Sequence, residues 1–202
     1  MNQSFLLFGF SATLLEIVSF VLAVLTVWLN IRQRHWAWLF AILSSATYGV
    51  VFAQARLYGD AGLQLVFIAV SLWGWYQWLY GGSGHVGLQV STLDARGRWL
   101  ALLAWLAAFA LLSAFLRRYT DTDVPHIDGF LTAGSLLGQF LLSKKKLENW
   151  HVWIAVDVLY IGLYIHKDLV LTAVLYALFV AMAVIGLRTW RKEACQAGLQ
   201  PA

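Results

Sequence analysis

Charge is what this chain has least of. Only 12% of its 202 residues are Asp, Glu, Lys or Arg, where a soluble domain carries about 25%. That leaves too little polar surface to face water and argues against a soluble globular protein. Cysteine is nearly absent too. Cys195, the sole copy, allows no internal disulfide and no thiolate metal cluster. Catalytic signatures are missing: there is no HExxH, no GxSxG and no pair of intramembrane carboxylates placed for catalysis. A GxxxxGK[ST] loop is also lacking, so no nucleotide is hydrolysed by a P-loop. The first residues lack the basic stretch of a cleavable signal, and Glu16 interrupts the first apolar run. The first helix is therefore expected to be a retained span.

What is abundant is apolar length. Hydrophobic residues make up 61% of the chain and the mean hydropathy is +0.71. A span needs about 20 mostly apolar residues. Seven such stretches are expected, at Leu14–Ile31, Trp36–Ala53, Asp60–Leu79, Trp99–Leu116, Ile127–Ser143, Trp150–Ile165 and Leu169–Leu187. They fill most of the chain, so residues 1–202 read as one membrane domain of all-α, polytopic class. The longest connection, Tyr80 to Arg98, is glycine-rich and reads as a flexible linker.

Basic residues set the orientation. Ten follow spans one, three, five and seven (Arg32, Arg34, Arg96, Arg98, Lys144, Lys145, Lys146, Arg188, Arg191 and Lys192), against four on the other side (Arg56, Arg117, Arg118 and Lys167). The positive-inside rule then predicts the C-terminus in the cytoplasm and the N-terminus outside. The formal charge of +4 is this topology signal, not a nucleic-acid surface. Trp36, Trp38, Tyr58, Trp78, Tyr80, Trp99, Tyr119, Trp150 and Trp190 fall near span ends and suit interfacial belts.

The chain matches itself without gaps at an offset of 112 residues. Trp38 meets Trp150, Ile42 meets Ile154, Tyr48 meets Tyr160, Leu57 meets Leu169, Gly74 meets Gly186 and Trp78 meets Trp190. Spans one to three (14–79) thus repeat as spans five to seven (127–190), with a linker helix (99–116) between them. Equivalent helices are four crossings apart and point the same way, which predicts a 3+1+3 parallel repeat. Repeats related by an axis along the membrane normal are a transporter architecture, with the substrate held between the halves near the midplane.

Polar residues recur at helical spacing: Asp128, Thr132, Ser135 and Gln139 in span five; Trp153, Asp157, Tyr160 and Tyr164 in span six; Asp60, Gln64, Ser71 and Trp75 in span three. Ser45, Tyr48 and Phe52 do so in span two, and Thr172 and Tyr176 in span seven. Together they suggest an interior that stacks a planar ring and hydrogen-bonds its edges. Ser71, Thr132, Ser135 and Thr172 also fit bonds to their own or neighbouring helices, and both readings stay open for Gln64 and Gln139. Glu16 and Asp128 suit the first turns of equivalent helices. Asp157 stands apart, as a carboxylate well inside a span with no Lys or Arg in any span interior. Such a group is protonated, hydrogen-bonded by neighbours such as Tyr160, or faces a cationic ligand in a wet cavity. The histidines lie near span ends or in loops, so no metal site is expected.

Glu148-Asn149-Trp150-x-x-Trp153-x-x-x-Asp157-x-x-Tyr160, Leu163-Tyr164-x-x-Lys167, Thr172-Ala173-x-Leu175-Tyr176 and Gly186-x-x-x-Trp190 resemble the C-terminal half of the PnuC vitamin transporters. Leu57-Tyr58, Leu63-Gln64 and Gly74-Trp75-Tyr76-Gln77-Trp78 resemble the N-terminal half. The resemblance implies a SWEET-like fold of seven helices in the bacterial cytoplasmic membrane. It implies uptake of nicotinamide riboside by facilitated diffusion, with trapping by a separate cytoplasmic kinase, and a homotrimer. Some members carry thiamine or riboflavin. Asp157 stands where some members resembling riboside carriers have Asn. An anionic, ring-stacking site suits a cationic aromatic, nicotinamide riboside or thiamine, better than neutral riboflavin. The expected substrate-binding residues are Asp157, Trp153, Tyr160, Gln64, Tyr48, Gln139, Tyr164, Tyr176 and Trp150. No cofactor is expected. Two other readings rank lower. A seven-helix photoreceptor lacks its mid-span lysine in the last helix. A SWEET-type sugar carrier lacks its Pro-Gln signatures, since Pro125 and Pro201 are the only prolines.

Overall fold

The computed structural model describes residues 4–7, 10–54, 58–120, 122–166 and 170–196. A short antiparallel hairpin, β1 (Ser4–Leu7) and β2 (Phe10–Thr13), precedes seven helices. These are α1 (Leu14–Ile31), α2 (Ala37–Gln54), α3 (Tyr58–Tyr80), α4 (Ala95–Tyr119), α5 (Pro125–Ser143), α6 (Glu148–His166) and α7 (Val170–Gln196). Leu57, Lys167 and Leu169 lie outside the described residues, as do the side chains of Glu16, Phe52, Tyr58, Asp60 and Thr172. Apolar periodicity does not signal the hairpin. It also places the end of the last helix at Leu187, whereas α7 runs on to Gln196, because backbone hydrogen bonding continues where lipid burial stops.

At 18 to 27 residues, the helices are about 27–40 Å long at 1.5 Å per residue. Their outward faces are apolar: Leu111 is 73% exposed and Leu65 69%. In α4 the most apolar 18-residue window has a mean hydropathy of 2.2 and is almost wholly unburied. Such surfaces suit hydrocarbon or a partner subunit, not water. α1 packs on α2 and α2 on α3; α5 packs on α6 and α6 on α7. The triplets meet where α3 touches α5 and α1 touches α7, and α4 seats on α5.

The same contacts occur twice, 112 residues apart. α1 ends in a Schellman-type turn, with Gln33 N–H bonded to the Asn30 carbonyl and Arg34 N–H to that of Leu29. α5 ends identically, with Lys145 N–H to Leu142 and Lys146 N–H to Leu141. The left-handed residue is Gln33 (φ 52°) in one and Lys145 (φ 48°) in the other. Trp78 donates its indole N–H to the Leu142 carbonyl at 3.0 Å, and Trp190 donates to that of Asn30 at 3.1 Å. Residue 30 is the counterpart of residue 142, so each triplet gives the other the contact it receives. Reciprocity of this kind is the mark of an isologous two-fold interface. Trp78 and Trp190 meet each other at 6.0 Å, as counterparts at such an axis must.

Four tryptophans make the knot at that axis. Trp38 and Trp78 meet edge-on at 5.4 Å, and Trp150 and Trp190 at 5.3 Å. All four are at most 3% exposed, so the expectation of interfacial belts is wrong for them. Sequence position near a span end does not distinguish a ring pointing to lipid from one pointing to the axis. Trp36, Tyr80, Trp99 and Tyr119, each at least half exposed, remain suited to a belt. Lys145 lies with its ammonium 4.7 Å from the centre of the Trp78 ring. Burial pushes that ammonium down to about 8, against the opposing pull of Glu193.

Gly74 and Gly186 allow the knot to close. A methyl group on Gly74 would stand 2.5 Å from Trp38 Cη2, and one on Gly186 would stand 2.6 Å from Trp150 Cη2. Gly74→Ala and Gly186→Ala are each expected to lower stability by about 1–3 kcal/mol, the usual cost of overpacking. Gly162→Ala, which meets nothing within 4 Å, should cost nothing. Thermal unfolding in detergent checks the ranking.

The α3–α4 connection is no free linker. It is strapped to the α5–α6 turn by Ser91 N–H to the Lys145 carbonyl (3.0 Å) and Leu147 N–H to the Ser91 carbonyl (2.9 Å). Leu93 N–H to Glu148 Oε1 (2.9 Å) adds a third tie. Its glycines permit the path, but the paired backbone holds it.

Candidate functional site

Three tyrosines converge between α6 and α7. Tyr160 and Tyr164, about one turn apart on α6, stack at 5.7 Å and 15°. Tyr176 of α7 lies 4.8 Å from the first ring and 5.1 Å from the second, and Phe179 backs it edge-on at 5.7 Å. The i, i+4 spacing on α6 presents both rings to one side. Tyr160 also faces Ser135 of α5, whose hydroxyl donates to the Leu131 carbonyl at 2.9 Å.

Asp157 lies one turn before Tyr160 and is 5% exposed. Its carboxyl group interacts electrostatically with Tyr160 and Tyr176. Among the described residues no Lys, Arg or His forms an ion pair with it; the pair present is Arg98 with Glu148. A carboxylate held in this way is costly unless something cationic joins it.

Trp153, one turn further back, lies over Gly138 of α5. A methyl group on Gly138 would come within 3.0 Å of its Cε2. The neighbouring Gln139 reaches from α5 to α3 and donates to Ser71 Oγ at 3.3 Å. Ser71 is 1% exposed. Tyr48 and Gln64 sit on the other triplet, in the α2–α3 pair, where the Gln64 Cβ passes within 3.5 Å of a methyl placed on Gly49. Trp150 is elsewhere, in the four-tryptophan knot. Asp128 occupies the first turn of α5 and accepts a hydrogen bond from Thr122 at 2.5 Å, which fits a helix-terminal role.

The triplets are alike in backbone but not in chemistry. Asp157, Tyr160, Tyr164 and Tyr176 correspond at the 112-residue offset to Ser45, Tyr48, Phe52 and Gln64. The acid and two additional phenols are confined to the second triplet. The set can hold a flat ring against aromatic faces and satisfy one positive charge. Among the described residues there is no cluster of His, Cys, Asp and Glu that could hold a metal. Sequence reading missed Phe179 and the Gly138 platform. The i, i+3 step from Tyr176 and the adjacency of Gly138 to Gln139 were the available signals.

A family model described as nicotinamide mononucleotide transporter matches residues 13–192. The riboflavin/roseoflavin transporter RibM of Streptomyces davaonensis is 27% identical over 195 residues, covering 94% of this chain and 90% of that protein. The nicotinamide riboside transporter PnuC of Escherichia coli is 23% identical over 223 residues, with the same two coverages, 94% and 90%. A solved structure, the crystal structure of the vitamin B3 transporter PnuC, matches the fold with a TM-score of 0.72. It is 23% identical, and the match covers 88% of this chain and 80% of that one.

Proposed function

Since this chain belongs to the nicotinamide mononucleotide transporter family, the PnuC family of multi-pass membrane transporters and not of enzymes, we propose that it takes up nicotinamide riboside by facilitated diffusion. The observation that carries this reading is the cluster of three stacked tyrosines, Tyr160, Tyr164 and Tyr176, with the buried acid Asp157 one turn away on α6. Nicotinamide riboside presents a flat pyridinium whose positive charge is permanent. Stacking on an aromatic face is worth about 0.5–2 kcal/mol to such a cation, and the carboxylate supplies the counter-charge. Gln139, Gln64 and Tyr48 would bond the amide and the ribose hydroxyls. The excess of basic residues at the ends of spans one, three, five and seven supports a cytoplasmic C-terminus. A separate kinase there would trap the product by phosphorylation. A homotrimer is the assembly that the family resemblance implies.

Thiamine, also a cationic aromatic, is the alternative that this site would accept. The 27% identity to a riboflavin/roseoflavin transporter favours a third substrate, but neutral riboflavin gives the Asp157 charge no partner. Liposomes holding the purified chain are expected to equilibrate labelled nicotinamide riboside with no energy source. Accumulation above the outside concentration, appearing only with a proton gradient, would overturn facilitated diffusion. Riboflavin flux without riboside flux would overturn the substrate.

A further inference from the structure

A crevice of about 480 Å³ lies away from the tyrosines, between α4 and α7, with α5 and α6 as its floor. The geometry points to a binding site for one anionic phospholipid, with its phosphate at Arg191 and Arg98 and an acyl chain laid along the α4 wall. The crevice is graded as such a molecule is. Leu102, Trp105, Leu137 and Leu187 supply apolar lining, and Arg98, His151 and Arg191 supply charged or polar lining. From Arg98 to Trp105 the α4 wall rises about 10 Å, so charged and apolar lining are separated along that helix. Trp105 is fixed there by donating its indole N–H to the Phe130 carbonyl at 3.0 Å.

Charge complementarity selects the headgroup. Glu148, the acid that lines the crevice, is held through Oε1 by Arg98 at 3.5 Å and by Leu93 N–H, and its Oε2 is buried without a partner; it offsets one of the two arginine charges. The exposed Arg191, in no ion pair among the described residues, is the positive group left for an anion, and Arg188 and Lys192 are exposed on the same stretch of α7. Basic pockets between spans at the positively charged end of a membrane protein suit anionic headgroups. The apolar wall continues onto exposed Leu102 and Leu106 of α4, where a lipid tail would pass into the bilayer. A soluble anion would leave that wall empty.

Cys195, the chain's sole cysteine, lines the same crevice and is exposed. It is a built-in reporter. The full-length chain, purified in mild detergent, is titrated with phosphatidylglycerol, phosphatidylethanolamine or inorganic phosphate. Retained lipid is counted by native mass spectrometry and Cys195 alkylation by a maleimide is timed. Phosphatidylglycerol is expected to be retained and to slow alkylation. Arg191→Gln should weaken its retention about fivefold, as loss of one interfacial charge does. Ala101→Trp, which fills the crevice, should abolish retention without lowering riboside binding, which also reports that the variant is folded. Equal retention of both lipids by wild type and Arg191→Gln would overturn the proposal. So would protection of Cys195 by phosphate alone, or a change of oligomeric mass in Ala101→Trp that marks the crevice as a contact between copies.

Discussion

In this chain, whose site holds an acid where some members resembling riboside carriers have Asn, Asp157→Asn will weaken binding of a cationic vitamin by two orders of magnitude or more, and will leave the empty protein at least as heat-stable as before. Removing one partner of a desolvated charge pair costs roughly 3–5 kcal/mol, on the order of a hundred- to a thousandfold or more in affinity. The stability half of the prediction follows from the same burial. Asp157 is 5% exposed and has no cationic partner among the described residues, so an amide of the same shape relieves the ligand-free state of a costly group. Function and stability then move in opposite directions, as they do at residues retained for activity. Equilibrium binding of labelled nicotinamide riboside, paired with thermal unfolding, reads both. Ser71→Ala is the control: it removes the acceptor of the Gln139 bond and touches no charge, so its effect on binding should be far smaller. Loss of stability in Asp157→Asn with affinity intact would make Asp157 a structural residue.

The largest effect on folding is expected from Trp190→Ala. Its ring is fully buried, donates to Asn30, and touches both Trp78 and Trp150. Emptying such a site costs about 3–5 kcal/mol, and the two-fold reciprocity of the knot predicts a similar cost for Trp78→Ala. Trp36→Ala, at a ring 51% exposed, should stay within about 0.5 kcal/mol. Thermal unfolding of the three variants in one detergent separates a knot from a belt. Equal, small losses in all three would mean that Trp78 and Trp190 merely face the interface.

Which parts of this were legible in the sequence depends on the range of the physics. Apolar runs placed all seven helices, α1 to the residue at both ends, because burial in hydrocarbon is a local demand that each segment meets alone. The 112-residue offset was legible because both triplets must solve the same packing problem, and Trp38 with Gly74 and Trp150 with Gly186 are the same solution used twice. The tryptophan knot was not legible, since rings at span ends serve belts and cores alike and only the partner helix decides. The strap at Ser91 was hidden for a related reason: its hydrogen bonds are made by backbone groups, which any residue supplies. At the site, helical spacing gathered Trp153, Asp157, Tyr160 and Tyr164 on one face of α6. It could not show that Tyr176 closes on the two phenols, that Gln139 reaches Ser71, or that Trp150 belongs to the knot, because those contacts join different helices.

Calorimetric titration of the purified wild-type chain with nicotinamide riboside, thiamine and riboflavin, at one ionic strength, is the most direct test of the site. A carboxylate among stacked phenols predicts saturable heat with the positively charged ligands and none with riboflavin. Saturable heat with riboflavin and none with either cation would contradict the assignment of Asp157 as the group that selects the substrate.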